Sequence, residues 1–365
     1  MKTLRHITLL CGVAATLLIT ACAQVAQRIE GAATGSGGPR YAVDATWPKP
    51  LPNNWILGQV AGIAVGPDET IWMIHRPLSL TDDEKGSTLN PPRSKCCAAA
   101  PSVLQFDRAG TLLRSWGGKG SGYDWPANEH GIYVDPKGDV WIGGNAPADH
   151  QLIKFTADGK FLMQIGKPGK SEGSNSTTQL GRPAHMELDA AANELYVADG
   201  YGNRRVIVFD AATGAYGKRP EDGKFADFNP ESPQFGMPVH CVRMTRDNLV
   251  YVCDRMNNRV QVFNKNGEFV RQFVYDAATR GSGSTWDLVP SEDAAQRYLL
   301  IADGTNNEVR IIERATGEKL GSFGRPGRQA GDFHWVHNIA VDSQGSVYTS
   351  EVDTGKRAQR FVRVP

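Results

Sequence analysis

Four of the eight histidines in this 365-residue chain head segments that share one pattern. His130, His185, His240 and His337 each open a short alternating strand that passes a polar turn and returns fourteen residues later, at Gly144, Asp199, Asp254 and Glu351. Neutral imidazoles held on separate rigid elements can take a zinc ion and leave a fourth coordination position for water or substrate. Each of these histidines, taken alone, reads best as a strand-end residue satisfying a turn. Four at one position of a repeat read better as a shared metal site. The returning strands lead to Arg76, Tyr201 beside Asp199, Arg255 beside Asp254, and Glu351, which brings guanidiniums and a phenol toward the same place.

The elements that must carry these residues are copies of one unit, complete at 235–263. His240 heads a strand over 241–244, a turn follows at 245–248, a return strand at 249–253 and a third strand at 259–263. Alternation of period two about a polar turn is the signal of a strand hairpin. The hairpin recurs at 62–76, 130–144, 185–199 and 337–351, and a sixth copy at 286–303 has its turn lengthened by 291–296. Third strands follow, and turns containing Gly110, Gly159, Gly214, Gly267 and Gly317 lead into fourth strands. Such a unit cannot bury its faces alone, so six must close on one another.

The expected fold is therefore all-β, a six-bladed β-propeller over 41–365 in one domain. The last copy stops after its third strand. Residues 41–47 are expected to supply its fourth, so that both chain ends close one blade. Residues 77–101, rich in Pro, Ser, Lys and Cys, form an insertion in the first blade long enough to lie over one face. In such a ring the residue entering each innermost strand faces the central channel, and Gly62, His130, His185, His240, Asp287 and His337 take that position. Blades two, four and six alternate, so His130, His240 and His337 approach the axis at threefold spacing. His185, in blade three, falls outside this triangle and is read as a pocket residue.

Composition bounds the partners. Forty Gly, 21 Pro and only 8% aromatic residues suit many short strands and tight turns, and 40% hydrophobic residues suffice for a core. Forty Lys and Arg against 39 Asp and Glu give a net charge of +1, which offers no field for nucleic acid or anionic lipid. Lys2 and Arg5 precede an apolar run over 7–19, a secretory leader too short to span a bilayer. It ends in Ile19-Thr20-Ala21-Cys22, which resembles a bacterial lipobox with Cys22 as the lipidated residue; an ordinary signal peptide is the alternative. The expectation is a signal peptide over 1–22, a flexible Gly/Ala/Ser tether over 23–40, and a lipid anchor as the only membrane contact. Ala23 after the cysteine resembles the outer-membrane sorting pattern and points to its periplasmic side. In that oxidising compartment Cys241 and Cys253 can bridge their hairpin or remain buried thiols, and the state of Cys96 and Cys97 is left open.

The unit resembles the NHL-repeat type of β-propeller blade, through Asp254, Arg255, Asn257, Arg259, Val260, Val262 and Phe263. From about 55 to 362 the chain also resembles peptidyl-α-hydroxyglycine α-amidating lyases. The residues that carry this are Gly58-Gln59-Val60-Ala61-Gly62 leading to His75-Arg76, His130-Gly131, Asp199-Gly200-Tyr201-Gly202-Asn203, Cys253-Asp254-Arg255 and Trp335-Val336-His337-Asn338. The resemblance implies zinc on His130, His240 and His337, catalysis by Tyr201 with Arg76 and Arg255, and a pocket with Trp335, Asn338 and His185. The reaction implied is cleavage of a carbinolamide to an amide and glyoxylate, on a small-molecule or peptide substrate. The chain departs from the family where an aspartate that serves a structural calcium is replaced by Asn338, and where the family's blade cysteines fall on Tyr251 and Val262. It leaves no room for the copper monooxygenase that makes the hydroxyglycine. Two other readings carry different signatures: a metal-free NHL lipoprotein that binds a peptide, glycan or protein on the same face, and a lactonase-like hydrolase with calcium on Asp287 and Asn338.

Overall fold

The protein is described by a computed structural model that covers residues 37–218 and 234–365. The leader expected over 1–22, Cys22 and most of the tether lie outside the described residues. Among the described residues no helix is long and apolar enough to cross a membrane.

Among the described residues six four-stranded antiparallel sheets form the blades, each with its first strand innermost. The inner strands are Gln59–Val65, Glu129–Val134, His185–Asp189, Val239–Met244, Asp287–Pro290 and Val336–Val341. Both faces of every inner pair must be covered, and they are. Six apolar clusters occupy the six gaps between successive blades, the gap between blade six and blade one included. That closes the ring and packs the inner sheet faces against one another.

Blade six is completed by the N-terminal strand Arg40–Asp44, paired antiparallel with Arg357–Val364. The strand is shorter than the sequence suggests because the Asp44 carboxylate accepts from the Thr46 amide (3.1 Å) and hydroxyl (2.7 Å) and turns the chain. Trp47 then drops between blades six and one. The insertion forms two single 3-10 turns, and its Ala98–Ala99 pairs in parallel with Trp55–Ile56. Lys356 holds it at the end where the second strands finish, through the Ser79 carbonyl (3.0 Å) and Glu84 (2.6 Å). Cys96 is bonded to Cys97, and Cys241 to Cys253, whose Cα atoms face each other at 4.8 Å across the inner hairpin of blade four.

A repeated ion pair explains the Asp and Arg of the repeat signature. Asp199 takes Arg205 (2.9 Å), Asp254 takes Arg259 (2.8 Å), Asp303 takes Arg310, and Glu351 takes Arg357 (2.6 Å). Each joins the end of a second strand to the start of a third. Glu351, which the alignment of units sends toward the channel, is fully buried in this role and also accepts from Gln359 and the His334 amide.

The register of the inner hairpins decides which side chains reach the channel mouth. Four of them carry a β-bulge. Val239 pairs with Asp254 and Cys241 with Cys253, leaving His240 as the extra residue. His337 is extra in blade six and Ala61 in blade one, while His130 and Gly131 together face Gly143 in blade two. Blades three and five have none, since His185 pairs with Ala198 and Asp287 with Ala302 in unbroken ladders. Blade three keeps the spacing of fourteen by a longer turn instead. Position by position, then, His185, Asp287 and Gly62 correspond to Cys241 and not to His240, a correction that sequence spacing could not supply.

Candidate metal centre at the channel mouth

The three bulge histidines converge. One ring nitrogen from each of His130, His240 and His337 lies within 4.8 Å of the others, and the ring centroids stand 5.1, 4.7 and 5.0 Å apart. Every Nδ1 is fixed by the blade next in line: His130 to the Ala184 carbonyl (2.8 Å), His240 to the Trp286 carbonyl, and His337 to the Ala61 carbonyl (2.7 Å). A carbonyl can only accept, so each Nδ1 carries the proton and each Nε2 presents a lone pair. Burial first holds all three rings well below the ordinary histidine pKa; the His337 ring, Arg76 and Arg255 add to it at His130, Arg255 and the two other imidazoles at His240, and Arg76 and Arg255 at His337. They are neutral donors.

The Tyr201 hydroxyl sits 3.0 Å from His130 Nε2 and 2.9 Å from His240 Nε2. One phenolic proton cannot serve two lone pairs, so this donor set holds more electron pairs than protons and fits a cation. Arg255 donates to the same hydroxyl at 3.1 Å and lies 4.3 Å over the Trp286 ring. Its Nε is buried without a partner. Arg76 is held by the Glu129 carbonyl (2.7 Å) and Gln59 (2.6 Å). It follows His75, which pairs with Val60 as Asp254 pairs with Val239, so Arg76 and Arg255 occupy one position in two blades.

The remaining residues singled out in the sequence fall as follows. Trp335 is at the rim, its backbone at φ 60° and its ring 5.6 Å from Trp286. His185 does not join the triad; its Nδ1 donates to the carbonyl of Val242, two residues below His240. Asn338 lies below His337, accepting from the Ile63 amide (2.7 Å) and donating to Asp287. Sequence reasoning missed Trp286, which orients His240 and floors Arg255, and Glu129, whose carbonyl holds Arg76; it quoted Gln59 within a motif without giving it that role. The copy starting at 286 was visible, but a unit aligned on Asp287 hides the tryptophan before it.

The NHL repeat model matches residues 239–263. Mouse NHL repeat-containing protein 3 is 27% identical over 272 residues, 72% of this chain and 73% of that protein. Peptidyl-alpha-hydroxyglycine alpha-amidating lyase 1 of Drosophila melanogaster is 25% identical over 348 residues, 88% of this chain and 60% of the fly protein. A streptogramin B lyase structure superposes with a TM-score of 0.51 at 11% identity, covering 84% of this chain and 94% of that one, which speaks to the fold alone. With its repeat, its six blades and these relatives, the chain is an NHL-repeat β-propeller similar to the peptidyl-α-hydroxyglycine α-amidating lyases.

Proposed function

We propose that the protein is a zinc-dependent carbon–nitrogen lyase that splits an N-acyl-α-hydroxyglycine into an amide and glyoxylate. The observation that carries this is the meeting of three Nε2 lone pairs, the Tyr201 hydroxyl and the Arg255 guanidinium at one buried point. A zinc ion on His130, His240 and His337 would supply a Lewis acid for the substrate's α-hydroxyl. The Tyr201 oxygen is the base that takes the hydroxyl proton, and the Arg255 guanidinium that donates to it steadies the charge there. The oxygen's electron pair becomes the carbonyl of glyoxylate, the C–N pair leaves with nitrogen, and Tyr201 returns the proton to that nitrogen. Atoms balance without water. Arg76 and Arg255 flank the mouth with planar forks suited to the substrate carboxylate.

The test is glyoxylate release from an N-acyl-α-hydroxyglycine by zinc-loaded protein. Turnover above background is expected; none with full zinc content would leave the non-enzymatic binding propeller as the reading. We place this activity in the cell envelope, tethered through Cys22, on the strength of the leader alone. Cys22→Ser should move the protein from the membrane to the soluble fraction, and continued membrane association would end the lipoprotein reading.

A further inference from the structure

Beneath the histidine triad, where the family resemblance calls for a structural calcium, the oxygens are already taken. The Asn338 side-chain oxygen accepts from the Ile63 amide at 2.7 Å, and its amide group faces Asp287. Asp287 is 1% exposed and accepts from the backbone amides of Leu288 (2.8 Å) and Ile339 (3.0 Å). Its charge is met by Arg243. That guanidinium, 12% exposed, donates to Asp287 at 3.0 Å, to the Leu288 carbonyl at 2.8 Å and to the Ile339 carbonyl at 3.0 Å. On its other side it lies 3.7 Å from Glu187.

We infer that Arg243 is the chain's own replacement for that ion: a covalently tethered cation that ties the inner strands together on the axis and leaves calcium no place there. Calcium needs six to eight oxygens at 2.3–2.6 Å. Here one carboxylate and two carbonyls, the hard oxygens such an ion would use, are bonded to a guanidinium instead. Position 338 is Asn, so it offers an amide where the family resemblance calls for a carboxylate, and the Glu187 carboxylate faces the guanidinium. Cys241 and Cys253, which also come near Asp287, are bonded to each other and offer no thiolate. Arg243 starts in blade four, its partners lie in blades three, five and six, and Asn338 carries the linkage on to Ile63 in blade one. Arg243 also lines the cavity of about 370 Å³ at the opposite mouth, with Tyr133, Glu187, Arg246 and Glu292. Asn338 follows His337 directly, so this linkage sets the height of one zinc ligand.

The test is calcium dependence of the purified protein with zinc kept saturating throughout. Wild type should contain no stoichiometric calcium by elemental analysis, and its unfolding midpoint should be the same with and without added calcium. Arg243→Met leaves Asp287 buried and unpaired, and its midpoint should fall by roughly 5–10 °C. Arg243→Met combined with Asn338→Asp frees two carbonyls and supplies two carboxylates; it should bind calcium and regain several degrees on its addition. Stoichiometric calcium in wild type, or a wild-type midpoint that rises with calcium, would overturn the inference even if neither variant folds. A double variant that folds but is indifferent to calcium would also count against it.

Discussion

His130, His240 and His337 are fitted to hold a metal ion by what their other nitrogens do. Each Nδ1 is spent on a carbonyl of the next blade, so the ring cannot rotate or change tautomer without losing a buried hydrogen bond. Tyr201 depends on the same arrangement, held between two of those rings and Arg255. Replacing Tyr201 by Phe removes one oxygen and keeps the packing; glyoxylate release should fall by about 10²–10⁴-fold while zinc content measured by elemental analysis stays the same. The triad and the tyrosine were legible because residue type and spacing name them. The roles of Trp286, Gln59 and Glu129 were not, since they run through a carbonyl, a ring face or a single hydrogen bond, and no spacing rule records these.

Among the elements, the bulged inner strand is what separates the histidines that converge from the one that does not. His185 has the same spacing as His240 but no bulge, and it sits a level lower. A turn residue gained and a bulge residue lost cancel in the sequence, which is why alignment alone merged the two positions. In blade two, Gly131 allows the bulge to approach blade three: a Cβ there would lie 2.5 Å from the Ala184 carbonyl oxygen that holds His130. Gly131→Ala should therefore push that acceptor away and weaken zinc binding by about 10- to 100-fold, read by competition with a chromogenic chelator. The inner strand of blade three brings Glu187 against Arg243 and Asp287 at the far end of the channel, where burial raises the carboxyl from 4.5 to about 7. Folded protein then holds a proton that unfolded chain releases, so this group's contribution is complete below pH 4.5 and is lost as pH rises to about 7. In thermal melts Glu187→Gln should lack that loss, ending more stable than wild type near pH 8; parallel melting curves across this range would refute the assignment.

At the scale of the whole molecule, the ring is closed by strands from both chain ends. Tyr41 packs on Phe323 at 4.9 Å and shares a buried cluster with Phe333 and Phe361. Tyr41→Ala should cost about 3–5 kcal/mol in denaturant unfolding, although it lies far from the channel mouth; a loss under about 1 kcal/mol would show that the latch is dispensable. Six blades, their order and this closure were readable from periodicity, because a repeat that cannot bury itself has few ways to end.

That three blades build one zinc site, and that this site does the chemistry, is a single proposal. It is tested most directly by titrating zinc into metal-stripped protein while following glyoxylate release from an N-acyl-α-hydroxyglycine. Activity should be absent without metal, rise in proportion to zinc and level off at one ion per chain, with no rise for a His337→Ala variant. Equal turnover by the stripped protein, or by that variant at the same zinc level, would contradict it.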